Sequence, residues 1–163
     1  MTSRSRSVTL LSFVALMPLI TGCGPKPTNW KLKAFADRRV CRLGQKVTVR
    51  YELDTAPKGH EETPVYSGRT WLVVRIVDSR GARAYLMPNG DVLSEVKTRE
   101  MSLKELGFPL TPSHQKGSVI IHTGKLAGNA DIYKIETFVA YERGGGLSTE
   151  IFQAGLLILD VKK

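Results

Sequence analysis

The 163-residue chain predicts an all-β protein: an antiparallel β-sandwich of about seven or eight short strands behind a cleaved leader. Three observations carry that reading. Apolar and polar residues alternate with a period of two in segment after segment. Turn sequences rich in Gly, Pro, Asp and Asn separate those segments. No internal repeat and no amphipathic helix of useful length interrupts the pattern.

The leader comes first. Arg4 and Arg6 give a basic start, and Val8 to Ile20 is an apolar run of roughly 13 residues, broken mildly by Ser12 and Pro18. That length suits a signal-peptide core and falls short of the ~20 residues a spanning helix needs. Ile20-Thr21-Gly22-Cys23 closes the run. These residues resemble the lipobox of bacterial lipoproteins, an aliphatic residue, two small residues and a cysteine.

The resemblance covers residues 1–23. It implies a signal peptide over residues 1–22, cut before Cys23, with diacylglycerol on the Cys23 thiol and a further acyl (palmitate-type) chain on the new amine. Each buried CH₂ contributes about 0.8 kcal/mol, so two or three chains hold firmly where one holds marginally. Gly24 follows in place of the Asp that retains such proteins in the inner membrane. The resemblance therefore implies an outer-membrane lipoprotein facing the periplasm, or the cell surface where there is no outer membrane. The bland alternative is a soluble secreted protein with a chance cysteine. Residues 23–29, with two prolines, read as the lipidated cysteine and a short stiff tether.

The domain then spans residues 30–163. Trp30, Leu32 and Ala34 alternate with Lys31 and Lys33; past the turn Leu43-Gly44-Gln45, Val47, Val49, Tyr51 and Leu53 alternate with Thr48, Arg50 and Glu52. Residues 54–70 read as an exposed loop. Trp71 to Val77 is denser in apolar residues and suits a central strand. Asp78-Ser79-Arg80-Gly81 and Pro88-Asn89-Gly90-Asp91 are turns. Ser102-Leu103-Lys104-Glu105 fits a capping box, stopped within one helical turn by Gly107 and Pro109. Val119 to His122 is a short strand. Ile132 to Glu142 places Tyr133, Ile135, Thr137, Val139 and Tyr141 on one face, and Gly144-Gly145-Gly146 is a hairpin turn. Thr149 to Val161 returns, with a bulge at Gly155. Leu156 to Leu159 is apolar at every position, which predicts cover on both faces.

This spacing is similar to immunoglobulin-like folds of the bacterial envelope. The resemblance rests on Leu43–Tyr51 and on Val74-Arg75-Ile76-Val77-Asp78-Ser79-Arg80-Gly81. The Cys-Trp-Cys hallmark of antibody domains is absent.

The charge is unevenly placed. The chain carries 24 basic and 15 acidic side chains, a net +9. Residues 24–50 hold Lys26, Lys31, Lys33, Arg38, Arg39, Arg42, Lys46 and Arg50 against Asp37 alone, and residues 51–163 balance to zero. This points to a basic patch of Lys26, Lys31, Lys33, Arg38, Arg39 and Arg42 beside the anchor, facing lipid headgroups or an anionic envelope polymer such as a glycan. The plain alternative is a solvated strand face. Export and the lack of a basic–aromatic motif argue against nucleic acid.

Catalytic and cofactor signals are weak. No Gly-x-Ser-x-Gly elbow is present, and the Gly-rich 144–146 stretch lacks a following Lys-Ser/Thr. His60-Glu61-Glu62 is the densest polar cluster, with His114 and His122 remote in sequence, so neither a metal nor another cofactor is expected. Cys41, left without an intrachain partner by a lipidated Cys23, is expected to be a small buried residue. The sequence thus points to a non-enzymatic, membrane-tethered envelope module that binds a protein or polymer partner. The loops at 54–70 and 107–117 and a sheet edge are its contact surfaces. The remaining readings are a glycan- or polymer-binding lipoprotein and a metal or enzymatic protein using His60, Glu61, Glu62 and His122.

Overall fold

The computed structural model describes residues 30–55, 69–126, 130–142 and 149–162. The leader, Cys23, Lys26, the tether, the His60-Glu61-Glu62 loop and the 144–146 turn lie outside the described residues.

The described chain is a two-layer β-sandwich. Its strands are β1 (Lys31–Ala36), β2 (Val40–Arg42), β3 (Lys46–Asp54), β4 (Thr70–Asp78), β5 (Arg83–Leu86), β6 (Val92–Ser94), β7 (Phe108–Pro109), β8 (Lys116–His122), β9 (Ile132–Glu142) and β10 (Thr149–Lys162). Two four-residue helical turns, α1 (Glu95–Thr98) and α2 (Leu103–Leu106), fall between β6 and β7. The small sheet runs β1-β3-β8; the large sheet runs β2-β10-β9-β4-β5-β6, with β7 on β4.

The connectivity is immunoglobulin-like, with the first strand divided between the sheets. β1 pairs antiparallel with β3, and the chain then crosses so that β2 pairs parallel with β10, Val40 opposite Asp160 and Arg42 opposite Lys162. That parallel pair is the one departure from the expected antiparallel pattern among the described ladders. β2, β6 and β7 are too short to carry a period-two signal, which is why about seven or eight strands are legible in the sequence and ten are described.

The alternation decides what enters the core. Val47, Val49 and Leu53 from β3 face Leu72, Val74 and Ile76 from β4, and Ile135, Val139 and Leu159 from β9 and β10 complete the layer; all are at most 3% exposed. Fully burying each such side chain contributes about 1.5–3 kcal/mol. Every residue of the core cluster lies between Trp30 and Val161.

The turns behave as their chemistry requires. Gly44, Gly81 and Gly90 all take positive φ near +85°, which glycine adopts without strain. Asp78 Oδ1 accepts the backbone N–H groups of Arg80 and Ala82 at 2.9 and 2.8 Å, closing the β4–β5 turn. At α2, the Ser102 backbone N–H and hydroxyl donate to Glu105 Oε2 at 2.8 and 2.7 Å, so the capping carboxylate is in place. The β9–β10 register shifts between Gln153 and Leu156, a bulge at the expected position. At the start of β9, buried Tyr133 hydrogen-bonds the backbone of Ala130, the corner tie of immunoglobulin-like sandwiches.

One expectation fails. Leu156 and Ile158 are not covered on both faces: they stand 51% and 55% exposed on the outer face of the large sheet, while Leu159 is buried. The sandwich has only two layers, and the helical turns that form a partial third layer sit over β4, β5 and β9 instead.

Candidate functional site

The outer face of the large sheet carries most of the chemistry outside the core. Residues that alternate away from the core on β4 are Trp71, Val73, Arg75 and Val77; their ladder partners on β9 are Ala140, Phe138, Glu136 and Lys134. Such cross-strand neighbours stand about 4.5–5.5 Å apart at Cβ, so each pair interacts directly.

Half of that face is covered. α1 and α2 lie over it, and Trp71 and Val73 are 4% and 6% exposed although they point away from the core. Gly107, which ends α2, passes so close that a Cβ there would stand 2.5 Å from the Trp71 Cβ. Between the turns and the sheet lies a cleft of about 290 Å³ whose lining includes Val73, Arg75, Tyr85, Leu103, Leu106 and Phe138. On its floor the Arg75 guanidinium meets Glu136 Oε2 at 2.6 Å and stacks 4.6 Å from the centre of the Phe138 ring. Burial pulls the Arg75 pKa down, but hydrogen bonds with Glu136 and Tyr85 outweigh it and leave the pKa raised. The pair serves as a structural tie across β4, β5 and β9.

The other half of the face is bare. Across β2, β10 and the start of β9 the outward positions are Val40 and Arg42, then Leu156, Ile158, Asp160 and Lys162, then Ile132 and Lys134. The four aliphatic side chains among them are each about half exposed, from 49% to 56%. Arg39 lines a dent of about 160 Å³ with Leu156, Leu157 and Ile158. Lys162 pairs with Asp160 at 3.0 Å.

The structure divides the sequence-predicted basic patch. Lys31 and Lys33 point outward from the small sheet near the start of β1, where Lys33 joins Glu52 and Lys116 in a row across three strands. Lys116 donates to Glu52 at 2.7 Å and, with Lys33, holds the Glu52 carboxyl below its usual range. Arg38, Arg39 and Arg42 sit at the far end of β1; six residues at about 3.3 Å each put roughly 20 Å between the two groups. Arg38 pairs with Asp37 at 3.5 Å. Of its described residues, Arg39 and Arg42 reach the bare half of the large sheet. Lys134 and Lys162, which share it, come from segments whose sequence is charge-balanced, so no run of charge announced them.

The remaining candidates resolve simply. Cys41 is 4% exposed, its Sγ 3.8 Å from the Asp160 carbonyl. Burial pushes its thiol pKa up, partly opposed by Arg38, so it is a poor nucleophile. His114 hydrogen-bonds Thr111 and Ser113 through Nδ1 on an exposed turn, and half-buried His122 ends β8 opposite Lys46. No group of three or more metal-ligating side chains converges among the described residues. No helix among them is long and apolar enough to cross a membrane.

No family model and no curated protein matches the sequence. Among solved structures the chain is similar to Cwp6 from Clostridium difficile, at 8% identity and a TM-score of 0.44 over 82% of this chain. It spans 17% of that protein's length. A likeness of that size identifies neither a family nor a function.

Proposed function

We propose that this chain is a lipid-anchored protein of the bacterial cell envelope that works by binding and without catalysis. In this reading Cys23 carries the lipid, residues 24–29 are the tether, and the sandwich meets an envelope partner. The observation that carries it is the convergence in residues 1–23 of a basic start, an apolar core too short to span, and Ile20-Thr21-Gly22-Cys23. The fold supports it physically. The core cluster of the described residues is built from Trp30 to Val161, which is compatible with a mature chain that starts at Cys23.

Mass spectrometry of protein extracted from native membranes tests the proposal. The expected amino terminus is Cys23 bearing diacylglycerol and an acyl chain, and a Cys23→Ser chain is expected to lose lipid labelling. An unmodified, uncleaved amino terminus overturns it.

A further inference from the structure

We propose that the bare half of the large sheet's outer face is a lipid-surface contact: its aliphatic side chains enter the headgroup region of an anionic bilayer while its basic side chains meet lipid phosphates. The inference deepens the anchored-module reading and rests on it for the reason the domain stays near a membrane.

The four aliphatic residues form one patch by register. Val40 and Ile132 flank Asp160 on neighbouring strands, and Ile158 and Leu156 follow along β10 on the same face. Each exposes about half its surface. Scattered apolar residues are normal on a protein surface, but a cluster of them rimmed by polar side chains marks an interaction site, and the acid opposite Leu156, Glu136, is bound to Arg75. The rim here is Arg39, Arg42, Lys134 and Lys162; the acid within it, Asp160, is bound to Lys162 at 3.0 Å. Aliphatic side chains interleaved with cations on a flat face complement an anionic lipid interface, in which apolar depth and negative headgroup charge occur together.

The tether selects this surface among possible occupants. Six residues separate Cys23 from Trp30. Fully extended they reach about 20 Å, so the bilayer lies within roughly two Debye lengths of the domain. β1, which the tether enters, packs beside β10, so the attachment and the patch share one edge of the sandwich, with Arg39 and Arg42 at the other end of β1. Lys31 and Lys33 at that attachment add positive charge on the neighbouring face.

The test uses residues 24–163, which lack Cys23 and contain every residue of the described core cluster. The protein is mixed with vesicles of phosphatidylcholine alone or with phosphatidylglycerol added, and bound protein is recovered by flotation. Binding to the anionic vesicles is expected to exceed binding to the neutral ones by about tenfold and to weaken as salt is raised. Val40→Ser with Leu156→Ser and Ile158→Ser is expected to reduce it about tenfold, and Arg39→Gln with Arg42→Gln by a similar factor. All five positions are exposed or peripheral, and unchanged thermal melts verify that the variants fold. Failure to bind anionic vesicles overturns the inference. So does binding indifferent to the aliphatic substitutions, which reduces the contact to bare charge attraction. A dimer that forms through these residues without vesicle binding overturns it in favour of a second copy of the chain. Lipid on Cys23 in native material, measured separately, leaves the anchoring proposal standing in all three cases; conversely, an unlipidated native chain removes the anchor while the vesicle result still reports on the patch.

Discussion

One sheet face is treated in two ways in this molecule. Over β4, β5 and the end of β9, two helical turns and Gly107 close on Trp71, Val73 and Phe138, and the outward residues are nearly as buried as the core. Over β2, β10 and the start of β9, outward residues of the same apolar kind are left half exposed among cations. The row Leu93, Tyr85, Arg75, Glu136, Leu156 marks the border. Apolar content is therefore no guide to cover. What separates the halves is whether a connection happens to pass over the strands: the β6–β7 connection crosses one half, and no described segment crosses the other.

The strongest way to break the comparison is Trp71→Ala. If the covered half is a true second apolar layer, this change is expected to cost about 3–5 kcal/mol in urea unfolding. A loss below about 1 kcal/mol would mean the helical turns sit loosely. Next comes the border. Arg75→Leu strands Glu136, whose side chain is 16% exposed, and is expected to cost about 2 kcal/mol. Adding Glu136→Leu should recover part of that loss, and a double-mutant cycle reads the difference. Gly107→Ala pushes a methyl against the Trp71 Cβ and is expected to cost about 1–2 kcal/mol. On the bare half, Ile158→Ser is expected to cost less than about 1 kcal/mol, because the side chain is already half in water. A large loss there would show hidden intramolecular cover.

The smallest effect concerns acid. Hydrogen bonds from the Ser102 hydroxyl and backbone hold the Glu105 carboxyl below its usual range. A depressed folded-state pKa stabilises above the unfolded value of about 4.3, and the contribution is lost as pH falls through the lower folded value. Hydrogen exchange over residues 103–107 is therefore expected to quicken in acid in the wild type. Glu105→Ala should show the faster exchange already at neutral pH. If the two proteins exchange alike at neutral pH, the capping box does not hold the cover down.

Much of this was legible along the chain. The alternation in residues 46–54 and 132–142 placed Val47, Val49, Leu53, Tyr133, Ile135 and Val139 inward, because a strand offers a side chain only two directions and water selects between them. The turn at Asp78–Gly81, the capping box at Ser102 and the bulge near Gly155 were legible for the same local reason: each is specified by residues within a few positions of one another. Cys41 followed from its strand context.

The basic segment shows where local reading stops. Seven net charges in 27 residues look like one patch in a line of letters, yet the crossing from β1 to β2 moves Arg39 and Arg42 to a different sheet from Lys31 and Lys33. Lys134, Lys162, Val40 and Ile158 then join those arginines from positions up to about 120 residues away. The Leu156–Leu159 run failed as a predictor of two-sided cover for the same cause.

The sequence by itself determined the strand class, the inward set of side chains and the turns, since each depends on neighbours along the chain. Only the tertiary structure decided which outward residues are roofed and which meet water, and which distant charges share a surface. Those outcomes depend on the order in which strands pair and on the path of one connection, and strand order is set by the joint packing of all the inward faces rather than by any local pattern.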